Sequence, residues 1–134
     1  MPDSASAILT ANRFGVRIED TAGRLDLSKA QFHEVILPDI LADRTLARAK
    51  RSTFTPLILR RALRKGTSLG QWMRDPQPRD VIVWLADENN EPTVQWRARA
   101  AVPVKWSHSP LTATGNEVAI ETLELTVEEF DRID

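Results

Sequence analysis

"RDVIVWLADENNEPTVQWRARAAVPVKW", residues 79–106, decides the fold. Val81 to Ala86 is an unbroken apolar run of strand length between turn residues, the pattern of a strand covered on both faces. From Val94 onward the even positions read Val94, Trp96, Ala98, Ala100, Val102, Val104 and Trp106, while Gln95, Arg97, Arg99 and Lys105 are odd. Alternate residues of a strand point to opposite faces, so this is a long half-buried strand with its apolar even face inward, or a strand that bends at Pro103. Pro103 has no amide to give a ladder and marks an edge or a bulge. Between the runs, Asn89 and Asn90 tolerate the left-handed backbone of a tight turn, so the two strands form an antiparallel hairpin.

Working outward, Phe14, Val16 and Ile18 alternate with Arg13, Gly15, Arg17 and Glu19 in a first strand. Phe32, Val35 and Leu37 belong to a second, and "TPLILRRAL" to a third with a basic rim. The last strand, from Asn116 to about Val127, changes phase, because Val118 and Ile120 are even whereas Leu123 and Leu125 are odd. A bulge near Glu121–Thr122, or a change of packing environment, would reconcile them. Ser68 and Gln71 fit a capping box that opens a short helix, with Leu69, Trp72 and Met73 on one face and Asp75-Pro76 as the stop. "LADRTLARAK" reads as a charged loop or a frayed helix, and Thr126 to Glu129 as the cap of a final turn. The expected organisation is a flexible segment over residues 1–11, then one mainly antiparallel β domain, a sandwich or barrel with one or two short helices, over 12–134.

Composition excludes several functions. With no cysteine among 134 residues, disulfides, thiolate metal sites and thiol nucleophiles are ruled out. A formal net charge of −1 argues against bulk attraction to nucleic acid or anionic membrane. Charge is nevertheless uneven. Arg44, Arg48, Lys50, Arg51, Arg60, Arg61 and Arg64 crowd the middle, and Glu117, Glu121 and Glu124 begin an acidic end. No apolar run reaches the roughly 18 residues of a membrane span, and a soluble protein assembled in the cytoplasm is expected.

His33 and His108 are the only histidines, and neither HxH nor HxxxH spacing exists to support a metal site. Ser107 and Ser109 flank His108, yet adjacent residues of an extended chain point apart, so a polar corner is the reading there rather than a hydrolase. Scattered glycines form no phosphate loop. No catalytic residue, cofactor or metal is therefore expected. Trp72, Trp84, Trp96 and Trp106 fall in apolar phase and read as core aromatics. An oligonucleotide or ligand module using Arg97, Arg99 and nearby aromatics is the rival from another class.

"NRFGVRIED", "FHEV", "LILRRAL", "LGQWMRD", the quoted hairpin and "LTATGNEVAIETLEL" together resemble the tail-tube proteins of contractile phages and phage-derived contractile injection systems, from about Asn12 to Phe130. The most specific portion runs from Trp96 to Leu125. The resemblance implies a structural subunit that forms hexameric rings stacked into a hollow tube inside a sheath. It also implies related tube or baseplate hub subunits, the sheath protein and luminal cargo as partners. "VILPDI" and the short "LADRTLARAKRSTF" depart from the family pattern and keep open a tube initiator at the baseplate. The basic tract and the carboxylates of Glu117, Glu121 and Glu124 are the candidate subunit or ring contacts, with pairing inside the chain as the competing outcome.

Overall fold

The computed structural model describes residues 9, 13–20, 31–42 and 52–134. Among the described residues, nine strands and one helix follow in order: β1 (Phe14–Glu19), β2 (Glu34–Ile36), β3 (Ile40–Ala42), β4 (Ser52–Phe54), β5 (Leu57–Ala62), α1 (Gly70–Arg74), β6 (Arg79–Ala86), β7 (Pro92–His108), β8 (Ile120–Thr126) and β9 (Glu129–Arg132). All the pairings are antiparallel.

β7 organises the molecule. Its first half lies between β6 and β9, and its second half lies against β8. One layer is thus β1-β6-β7-β9 and the other β7-β8-β5-β2, joined through a strand that belongs to both. Inward side chains of the two layers meet in a single core. Val16, Ile18, Val81, Val83, Ala98 and Phe130 come from the first layer, Leu57, Leu59, Leu123 and Leu125 from the second. Leu69 and Trp72 close one end from the helix. Each fully buried leucine contributes about 1.5–3 kcal/mol by leaving water.

The hairpin forms as its sequence dictates, with Asn90 at φ 62°. The inward phase of β7 does not hold along its length, however. Ala98 and Ala101 are both fully buried, and the register against β6 shifts between them. Ala100, at φ 52°, takes up the extra residue, an unusual conformation for a side chain with a Cβ. A second shift follows Pro103, so Val104 faces solvent instead of the core. These irregularities let one strand cross from layer to layer.

Other expectations need correcting. β8 begins only at Ile120 and pairs with β5 without a break, so the phase change near Glu121 is the strand's start and not a bulge. Ser68 does not cap through a Gln71 box. Its Oγ accepts the Gly70 amide and itself donates to Glu121, and Leu69 holds the cap position. The chain after Val127 forms β9 and no helical turn. β3 and β4 make a separate two-stranded arm. Except for Leu9, the N-terminal segment lies outside the described residues, as do Arg44, Arg48, Lys50 and Arg51.

Candidate assembly surface

The polar residues expected at contacts divide into an interior set and a surface set. Arg61 continues the inward phase of Leu57 and Leu59, and Glu121 that of Leu123 and Leu125; the two are direct partners in the β5–β8 register. Both side chains are fully buried. Arg61 Nε donates to Glu121 Oε2 at 2.9 Å, and Arg61 Nη2 donates to the Thr67 carbonyl at 3.0 Å. The other carboxylate oxygen, Oε1, accepts from the Leu69 amide at 2.9 Å, Trp106 Nε1 at 2.9 Å and Ser68 Oγ at 3.0 Å. A buried charge survives when its partners surround it, and here they do. Arg61 and Glu121 therefore have no surface to present to a neighbouring subunit. They pin the start of α1 to the sandwich.

A second buried arginine holds the other end of the helix. Arg79 donates to the Asp75 carbonyl at 2.8 Å and to Asp75 Oδ2 at 3.0 Å, and its guanidinium lies 5.4 Å from the centre of the Trp72 ring. Its Nε stands 3.4 Å from Asp20 Oδ1, an ion contact lacking hydrogen-bond geometry. In the sequence, Arg79 is only the residue before an apolar run.

On the outer face of the second layer, Arg60 pairs with Glu34 at 2.7 Å and Lys105 with Glu124 at 3.7 Å. Arg64 and Glu117 are exposed at the far end of β5 and in the loop that precedes β8. Trp72 is wholly buried, and Trp96 and Trp106 pack against the core. Trp84 is on the opposite face from Val81 and Val83, so its assignment to the core is corrected. It lies across Gly15, its register partner, filling the space a Cβ there would need.

The stretch around His108, with Ser107 and Ser109, forms a polar corner. His108 meets Trp106 edge to face at 5.5 Å, and its Nδ1 is 3.0 Å from the Ser109 carbonyl. Ser109 Oγ accepts the Ile120 amide at 2.9 Å. The cations of the rival nucleic-acid surface are engaged as well. Arg97 donates to Glu19 and Asp80 at 3.1 and 2.7 Å, and Arg99 lies 3.7 Å from Glu129. Burial pushes the Asp80 carboxyl up, but the Ala100 amide at 3.0 Å and the adjacent arginines outweigh it and hold it below its usual range. Among the described residues, no group of three or more histidines or carboxylates is placed to share a metal ion, and no helix is long and apolar enough to cross a membrane.

Among the described residues, what remains at the surface is sheet border without a strand partner. No described strand lies beyond β1 or β9 in the first layer, nor beyond β2 in the second, and residues 102–108 of β7 are paired only on the β8 side.

This architecture, a small two-layer β domain with a docked helix, recurs in solved structures. It matches a chain solved in the PVC sheath/tube terminator of an extracellular contractile injection system in the extended state, with a TM-score of 0.77 and 21% identity over 95% of this chain and 97% of that one. A chain of the anti-feeding prophage baseplate gives 0.69 and 22%, over 90% and 92%. Hcp1 from Flavobacterium johnsoniae gives 0.60 and 15%, over 90% and 94%. At these identities the likeness is one of fold. No curated protein matches in sequence. Residues 10–131 match the family described as T4-like virus tail tube protein gp19, and the chain belongs to that family.

Proposed function

We propose that this chain is a structural, non-enzymatic subunit of the inner tube of a contractile tail or injection particle. Six copies close into a ring, and rings stack around a lumen within a sheath. The observation that carries this reading is the set of open strand borders. Exposed borders invite uncontrolled pairing unless a partner covers them, and a closed ring supplies one to every copy. The partners are then copies of the chain, related tube or baseplate hub subunits and the sheath protein, with cargo in the lumen and assembly in the cytoplasm.

Arg60, Arg64, Glu117 and Glu124, together with Arg44, Arg48, Lys50 and Arg51, are the polar candidates for setting register between copies. Such charges direct docking more than they supply affinity. Negative-stain microscopy of purified protein at low and high salt tests the reading. Rings or tubes should form, with a yield that falls as ionic strength rises. A protein that stays monomeric at high concentration, alone and mixed with related tube subunits, overturns it. The same borders serve a baseplate initiator, and the height of this chain in a reconstruction of the particle separates initiator from main tube.

A further inference from the structure

The turning point of β7 is held by a carboxylate from the neighbouring strand. Arg79 stands opposite Ala101 and Val81 opposite Ala98, so Asp80 of β6 faces two residues of β7, Arg99 and Ala100. A bulge of this kind leaves its extra residue outside the ladder. Asp80 Oδ1 supplies the missing acceptor, taking the Ala100 amide at 3.0 Å. On the other side of the bulge, the Arg99 carbonyl accepts the Glu128 amide at 2.9 Å, which ties it to the start of β9. Ala100 itself sits at φ 52°, a conformation that its Cβ disfavours. The bulge is thus a strained backbone state kept in place by a side chain.

The same carboxylate is embedded in charge. Asp80 Oδ2 accepts from Arg97 Nη1 at 2.7 Å, and that nitrogen also donates to Glu19 Oε2 at 3.1 Å. Glu19 is the register partner of Asp80, and like charges directly across a ladder repel, so Arg97 is what lets the two stand together. Around this trio, Arg17 lies 3.5 Å from Glu19, Asp131 is the register partner of Arg97, and Arg99 lies 3.7 Å from Glu129. The Asp80 and Arg97 side chains are 33% and 27% exposed, so water reaches both.

We infer that Asp80 is an acid-sensitive latch on the β7 corner: ionised, it holds the bulge, and neutral, it releases the Ala100 amide and lets Ala100 leave the left-handed conformation. This goes beyond the tube reading and does not depend on it. Burial opposes the ionisation of Asp80, but the Ala100 amide, Arg97 and Arg99 outweigh burial and hold the carboxyl below its ordinary value of 3.8. For a carboxyl depressed by folding, the stabilisation is complete above the ordinary value and is lost as pH falls through the lower, folded one. Residues 102–108, where β7 is paired only on the β8 side, follow directly on the bulge. The direction in which that border is presented is then governed by a proton.

Hydrogen exchange of the full chain, read by mass spectrometry, tests the latch. Peptides spanning 98–103 are compared with peptides of β8, each corrected for intrinsic exchange at the pH used. In the wild type, protection at 98–103 should fall roughly tenfold between about pH 5 and pH 3 while β8 stays protected. Asp80→Asn keeps an oxygen for the amide but no charge, so it should show that loss already at neutral pH and no further acid step. Glu19→Gln should keep the step. Glycine takes a positive φ without penalty, so adding Ala100→Gly to Asp80→Asn should restore protection to within about threefold of the wild type. All peptides of the wild type losing protection together, an acid step that Glu19→Gln removes, or no rescue by glycine overturns the inference. The wild-type acid profile and the Glu19→Gln variant decide it even if Asp80→Asn does not fold.

Discussion

The helix end of the sandwich and the β3–β4 arm obey opposite rules. Beneath α1, charged groups are buried, and Glu121 alone accepts four hydrogen bonds there. On the arm, Ile40 and Leu41 are left to solvent. The first region is completed by its own chain, and its polar atoms can be counted off against one another. In the second, no described residue covers the apolar side chains. The contrast is between a region completed by its own chain and one whose apolar surface faces solvent.

Four changes break or sharpen that contrast. Glu121→Ala strands a buried guanidinium and removes the acceptor of three other donors, so urea denaturation should show a loss of about 3–5 kcal/mol. Pairing it with Arg61→Met should recover the part of the loss due to the stranded guanidinium, while the Leu69, Trp106 and Ser68 donors stay unpaired; no recovery at all would mean that those hydrogen bonds, and not the charge, dominate. Next in size, Gly15→Ala drives a Cβ into Trp84 and should cost about 1–3 kcal/mol, with a red shift of tryptophan emission as the ring swings outward. Ala100→Gly relieves a left-handed alanine worth about 1–2 kcal/mol, which the freer unfolded chain partly offsets, and should raise the melting midpoint slightly. A fall would show that the Ala100 methyl contributes packing that outweighs the strain. Smallest of all, Leu41→Ser should move subunit stability by no more than about 0.5 kcal/mol, since the side chain is half exposed.

Much of the architecture is legible in residue periodicity. β1, β5 and the first half of β7 follow it because each has one face on the core, and β6 is an unbroken apolar run buried on both faces at Val81, Ile82 and Val83. β9 escapes because Phe130 is the only inward anchor among charged neighbours in Glu129–Arg132. The bulges of β7 are hidden for a different reason. Nothing in "ARAAVP" requires a left-handed alanine; the Asp80 side chain, twenty positions away, accepts its amide. The Arg61–Glu121 pair did leave a signal. Each residue keeps the inward phase of its strand, and two opposite charges at matching inward positions of adjacent strands can satisfy one another. Reading those charges as surface follows from residue type and neglects phase. Trp84 shows the converse, because an aromatic in an apolar run can lie on the outer face when a glycine opposite makes room.

β7 has a mechanical consequence as well. Since a single 17-residue strand contributes a member to both layers, the two layers should melt together. Peeling off β6 frees one half of that strand and peeling off β8 the other, and each loss uncovers the same interior. A subunit built this way should come apart in one step when pulled or heated, a useful habit for a part that must stay whole until it fails entirely.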